Sequence, residues 1–328
     1  MKKVLSLSLT LPLALLLALL LLLALPASCQ AAEAAQTEDD YVLATRDPSQ
    51  DPSQNYLADL LRAALEASKP QYGPYKLSLN IISMQRLRAR RELEDGQLIN
   101  VNVQVTSPDW EQYLIPVRIP VDKGITNYRI SLIDGRRQDE FSRVKTLDQL
   151  RKFTLGVGEQ WATHELYEQN RLPLLAGNSN SGLAGMLMQG RFDYYPRSLE
   201  EAVREEQTLA PTHPNIAMDK ALLLYVPLPR YYFVSPRKPR LAQRLTAGLE
   251  ALIASGEYDR IFLHYYGPRI VAAQICKRTV LQLQNPSLSP ETPLKRRALW
   301  FDPSSGADRD LACGAKSAKT VAIPSPGH

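Results

Sequence analysis

Twice in this sequence a helical pattern runs through a glycine straight into a strand, as "RELEDGQLINVNV" at residues 91–103 and again as "GMLMQGRFDYYP" at 185–196. Glycine supplies the backbone that ends a helix, and a strand following at once places the helix against a sheet. Around these two phrases the chain alternates β and α elements throughout, which points to an α/β sheet. The echo reads as similar architecture in the two halves rather than as a sequence repeat.

The expected elements follow from periodicity. "YVLA" near Tyr41 reads as a first strand, and "NYLADLLRAALEAS" as an amphipathic helix with Leu57, Leu60, Leu61 and Leu65 on one side. "YKLSLNIIS" is a second strand, "MQRLRARRELEDG" a helix closed by Gly96, and "LINVNVQV" a strand with Ile99, Val101, Val103 and Val105 on one face. The basic run in that helix, with Arg86 and Arg90 one turn apart, reads as a solvated face. A second set begins near residue 134: "TLDQLR" with a capping-box pattern from Thr146 to Gln149, strand "FTLGVG", helix "ATHELYEQN", strand "LPLLA", helix "SGLAGMLMQG" and strand "RFDYYP". The stretch "LLLYVPLPRYYFVSP" is extended and leads into the helix "PRLAQRLTAGLEALIASG".

The chain ends differ in character. Lys2 and Lys3 precede the apolar run "VLSLSLTLPLALLLALLLLLALPA", and small residues follow, so residues 1–29 read as a signal for export to the periplasm. Three fates stay open: cleavage near Cys29 or Ala31, lipidation at Cys29 in "PASC", and retention as an uncleaved anchor. Residues 30–40 read as a disordered tether, and residues 268–328 as a C-terminal extension with a disordered end. Without Lys2 and Lys3, 37 basic residues stand against 34 acidic, a charge of +3, too mild to argue for nucleic acid. In an oxidising compartment Cys276 and Cys313 are expected as a disulfide.

Three phrases carry a resemblance: "VKTLDQLRKFTLGVGEQW", "GMLMQGRFDYYPRSLEE" and "LPRYYFVSPRKPRLAQRLTAGLEALIASGEYDRIFLHYYG". In order and spacing they resemble the amino-acid-type (family 3) extracellular solute-binding proteins, over residues 41–267. An "NP-x-LSPETPL" tail from Asn285 to Leu294, followed by "LWFDP", is similar to an uncharacterised branch of that family. The resemblance implies a two-lobed type II periplasmic binding protein fold with a C-terminal extension. Lobe 1 takes residues 41–130 and 226–267, and lobe 2 takes 131–225. It also implies a small-molecule solute as partner, a membrane transporter or sensor as recipient, a monomer, and no cofactor, metal or catalytic residue.

Within that frame the candidate ligand-binding residues are Trp161, Tyr195, Arg197, Ser198, Trp110 and Arg129. The family's carboxylate-gripping arginine is not at its place in "TSPDWEQYLIPVRIP", which leaves Arg118 or Arg129 to substitute. Its amine-gripping acid falls on Ser198, which "SLEE" explains as a helix N-cap with Glu201 three residues on. A helix start facing a cleft suits an anion, and Arg197 beside it adds a bidentate partner. Tyr194 and Tyr195 must point to opposite faces of their strand, and Tyr195 is the one placed toward the cleft. Asp193 reads as structural. A polar, anionic or neutral solute follows from these departures. The alternatives are an envelope interaction module with a decayed site and an enzyme on the same fold. Against the enzyme, His164, His213, His264 and His328 are scattered, no "HExxH" or "GxSxG" occurs, and Glu159 stands alone as a candidate acid or base.

Overall fold

A computed structural model describes residues 38–49 and 53–314. The expected export signal, Cys29 and the tail from residue 315 lie outside the described residues. Along the chain run β1 (Asp39–Thr45), α1 (Ser53–Tyr72), β2 (Tyr75–Ile81), α2 (Arg86–Asp95), β3 (Val101–Val105), α3 (Pro108–Tyr113), β4 (Ile115–Val117), β5 (Tyr128–Asp134), α4 (Gln138–Ser142) and α5 (Leu147–Leu150). Then come β6 (Leu155–Gly158), α6 (Thr163–Gln169), β7 (Leu174–Gly177), α7 (Asn180–Met188), β8 (Tyr194–Ser198), α8 (Leu199–Leu209), β9 (Ile216–Met218), β10 (Leu222–Tyr225) and β11 (Arg230–Val234). The chain continues with α9 (Pro239–Ser255), α10 (Glu257–Ala273), β12 (Thr279–Gln282) and α11 (Gly306–Ala312).

These strands form two sheets, so the molecule is a two-lobed α/β protein. The first has the order β2-β1-β3-β11-β4, with β1 parallel to β2 and β3 and with β11 antiparallel to β3 and β4. The second has the order β12-β10-β5-β8-β6-β7, with β9 on β5. The chain crosses between sheets from β4 to β5 and returns from β10 to β11. At Asn127 the two crossings are tied, since its carbonyl accepts the Val226 N–H and its side chain accepts the Leu228 N–H.

Burial of one helical face drives each lobe together. Leu57, Leu60, Leu61 and Leu65 of α1 are buried against the first sheet, each such side chain contributing about 1.5–3 kcal/mol. Helix α9 lies so close on α1 that a Cβ at Gly248 would meet the backbone of Ala64. The cluster continues through Tyr128, Ile130 and Leu223 to Leu199 and Ala202 at the start of α8, so the lobes share apolar packing beside the crossings. In the second lobe, Tyr194 packs on Phe141 while Tyr195 packs with Phe192 and Trp161. Both faces of β8 are therefore covered, as in parallel sheets generally.

Three expectations are corrected here. Asp39 and Asp40, expected in the tether, belong to β1, where Asp39 is buried as a partner of Arg244. The solvated face of "RLRARRELEDG" is instead packed: Arg86 lies 4.9 Å from the Trp110 ring centroid and Arg90 lies 4.4 Å from that of Tyr113. Helix α3 covers that side of α2, which periodicity within α2 could not show. The third concerns residues 268–273, which complete α10, a helix that tolerates Pro268, and do not begin the extension.

Beyond α10, β12 adds a parallel edge to the second sheet, and Glu291, Arg296 and Phe301 then reach back to Arg118, Glu250 and the Lys123 carbonyl. The Cys276–Cys313 disulfide closes this excursion, with Cα atoms 5.3 Å apart.

One clip fastens the first lobe. Arg244, with no solvent exposure, donates to Asp39 Oδ2 (2.9 Å), to the carbonyls of Gly73 (2.7 Å) and Pro74 (3.0 Å), and to Ser68 Oγ (3.2 Å). Replacing it by Met leaves Asp39 buried without this partner and should destabilise the protein by about 3–5 kcal/mol. Urea unfolding of Arg244→Met measures this, and a loss below about 1 kcal/mol would show the clip to be dispensable.

Candidate functional site

Between the two sheets lies a cleft made of two adjoining hollows of about 290 and 700 Å³, which share Arg46, Met84, Gln104, Val105, Arg129 and Glu201 in their walls. That is the size range of small-molecule sites. The first lobe supplies Thr45 at the end of β1 and Arg46 after it, Gln85 and Arg86 after β2, and Gln104 and Val105 at the end of β3. The second supplies Gly158–Thr163 from the last residue of β6 onward, Gly177–Ser179 from the last residue of β7 onward, and Arg197, Ser198 and Glu201 where β8 becomes α8. These are the carboxyl ends of parallel strands, where open α/β sheets bind ligands.

Of the residues expected at the site, Trp161, Arg197, Ser198 and Arg129 line this cleft. Two do not. Tyr195 has no exposure and sits in the core with Leu132, Leu183 and Phe192. Trp110 is 1% exposed, edge-on to Phe233 at 5.1 Å. Ser107 caps α3 by accepting from the Trp110 N–H. The first-lobe substitute Arg118 pairs with Glu111 (2.7 Å) and Glu291 (3.0 Å) and is absent from the cleft walls. Asp193 is structural, accepting from Arg137 Nη1 (2.5 Å) and from the Thr154 N–H (2.6 Å).

On the second lobe Arg197 is paired with carboxylates. The Arg197 guanidinium lies 4.3 Å from the Trp161 ring centroid and pairs with Glu205 (2.6 Å) and Glu201 (2.9 Å). Trp161 itself is wedged against Gly158, where any Cβ would run into the indole. Ser198 caps α8 in a full capping box with Glu201, whose carboxylate also lies 3.6 Å from Arg129. Burial alone would raise the Glu201 pKa, but Arg197 and Arg129, with the Ser198 hydrogen bonds, hold it at about 2. For Glu205 burial wins over Arg197 and the pKa is raised. Burial also works against the Arg197 charge, yet Glu201 and Glu205 outweigh it and lift its pKa above the ordinary value.

The first lobe is different. Arg86 donates to three neutral oxygens, Gln104 Oε1 (3.0 Å), the Val105 carbonyl (2.8 Å) and Ser107 Oγ (3.1 Å), and to no carboxylate. Burial lowers its pKa to about 10, which leaves it cationic at neutral pH. The guanidinium of exposed Arg46 has no hydrogen-bond or ion-pair partner among the described residues. Arg46, Arg86, Gln104, Glu201, Arg204 and Arg230 also line the cleft, although the sequence reads Arg86 as part of a solvated helix face and Glu201 as a capping-box partner. The signal available for the first three was position: each stands at or just beyond the end of a strand in "YVLATR", "NIISMQR" and "VNVQV".

No protein-family model matches the sequence, and no curated protein does. Solved structures of similar shape include an ancestral arginine-binding protein bound to arginine, 14% identical, covering 70% of this chain and 99% of that one with a TM-score of 0.49. Substrate-binding domain 2 of GlnP from Lactococcus lactis, in an open conformation, is 19% identical over 70% and 96% of the two chains, with a TM-score of 0.46. A histidine kinase sensor domain with similarity to periplasmic binding proteins is 15% identical over 70% and 96%, with a TM-score of 0.49. For this chain, the residues of its own cleft decide the functional reading.

Removing Arg197 should reveal the second-lobe network. Glu201, with its folded pKa below the unfolded value, stabilises above about pH 4.5, and that stability is lost as pH falls toward 2. Glu205, shifted upward, acts in the opposite sense. Arg197→Met deprives both of their main counter-charge, so it should cost about 3–5 kcal/mol at pH 7 and clearly less at pH 3. Denaturant unfolding at the two pH values measures it, and an equal loss at both would show that packing on Trp161, not charge, is the role of Arg197.

Proposed function

We propose that this protein is an extracytoplasmic solute-binding protein that takes a small anionic solute into the cleft and presents it to a transporter or sensor. The observation that carries this is the pair Arg46 and Arg86 on the first-lobe wall, neither hydrogen-bonded to a carboxylate among the described residues, facing a second lobe on which Arg197 is already paired with Glu201 and Glu205. A guanidinium held by neutral acceptors keeps its charge available to a carboxylate or phosphate, and its planar donors fit either in bidentate fashion. The low-dielectric walls on either side strengthen that attraction beyond its value in water. In this reading the export signal places the protein outside the cytoplasm. Among the described residues no helix is long and apolar enough to cross a membrane.

Thermal-shift titration with a panel of small carboxylates, phosphates, neutral sugars and cationic amines tests the proposal. The anions should give a saturable rise in Tm, weaker at high salt, and the other classes none. Arg46→Ala and Arg86→Gln should each weaken the response by about tenfold or more. A saturable response to a neutral or cationic compound that both variants retain would refute it.

A further inference from the structure

Glu201 does more in this cleft than a helix cap requires. A capping box needs one carboxylate oxygen on the backbone N–H of the N-cap. Glu201 Oε2 meets that need, accepting from the Ser198 N–H (3.0 Å) and the Ser198 hydroxyl (2.8 Å). Its remaining capacity goes to arginines that line the cleft: Oε1 stands 2.9 Å from Arg197 Nη2, and Oε2 stands 3.6 Å from Arg129 Nη1. The carboxylate borders both hollows of the cleft. It therefore occupies the place where a helix start and two arginines would hold an anion arriving from solvent. Among the described residues Arg129 Nε is buried and has no hydrogen-bond acceptor, as Glu205 Oε2 is buried with no donor, so Glu201 does not use the whole Arg129 guanidinium. A buried donor left in that state favours any anion able to reach it.

Resting on the anion-binding reading above, we propose that Glu201 is the specificity-determining residue of the cleft. Its carboxylate stands in for a solute anion on the second lobe, and so directs the solute's own anionic group to Arg46 and Arg86 on the first. A second anionic group on a solute would meet the Glu201 charge across the cleft, so the wild-type protein discriminates against solutes with anions at both ends. Like charges brought together in a site of low dielectric exclude the wrong partner as effectively as attraction selects the right one.

Glu201→Gln tests this without unmaking α8, because Gln also completes a capping box. Isothermal titration of wild type, Glu201→Gln and Glu201→Gln/Arg129→Gln with acetate, succinate and inorganic phosphate is the experiment. Glu201→Gln should bind succinate about tenfold more tightly than wild type, with a smaller gain for acetate and phosphate, each a single anionic group, and the double variant should lose the gain. A folded Glu201→Gln protein whose affinities equal those of wild type overturns the proposal, as does a gain that survives removal of Arg129. Arg86→Gln in the wild-type background reports separately on the anion reading, since the Glu201 effect is scored as a gain over wild type whatever the wild-type affinity.

Discussion

The pairing of Arg197 with Glu201 and Glu205 is the interaction on which the character of the cleft depends. A buried guanidinium beside two half-buried carboxylates is tolerable at the edge of the second lobe because each charge finds a partner at hydrogen-bond distance. Once they are paired, the second-lobe wall is close to neutral and Trp161 is fixed by the guanidinium resting on its ring. The positive field of the cleft is then left to the first lobe, where Arg86 is anchored by Gln104, Val105 and Ser107 without being neutralised. Charge is thus divided between the two walls, and the division follows from local helix and strand ends.

That division holds only if the lobes keep their places. The crossings meet at Asn127, whose buried amide ties both strands of the hinge. The residues after α10 add a further connection, pairing in the second sheet and returning to the first lobe through Arg296 and Phe301. The Cys276–Cys313 bond closes the ring over a separation of 37 residues, a loop length at which chain entropy attributes about 4 kcal/mol to the link. The C-terminal region is therefore part of the scaffold that holds the cleft.

Much of this fold is legible in the sequence because burial writes a period into each element. The leucines of α1 and the alternation of β2 and β3 give their elements directly, and Gly96, at φ 70°, marks the end of α2. The cleft is less legible because it is made by residues distant in sequence. Arg86 looks like one more charge on an exposed helix until α3 packs beside it. Tyr195 alternates away from Tyr194 as expected, but α7 and Trp161 cover the second face of β8 as well, so alternation has no solvent side to report. The strand-to-helix turn sets Arg197 and Ser198 in the wall of the cleft. The sequence cannot show that Glu201 and Glu205 have already claimed the guanidinium, because side-chain pairing across one helical turn depends on rotamers as well as spacing.

An anion held against the first lobe can be located by diffraction. Crystals grown or soaked with selenate and measured at the selenium edge would show the anion by its anomalous signal. A selenium peak is expected in the cleft with its oxygens within hydrogen-bond distance of Arg86 or Arg46. A peak on Arg197 and Arg129 with the first-lobe arginines bare, or a cleft without selenium while other sites fill, would contradict that placement.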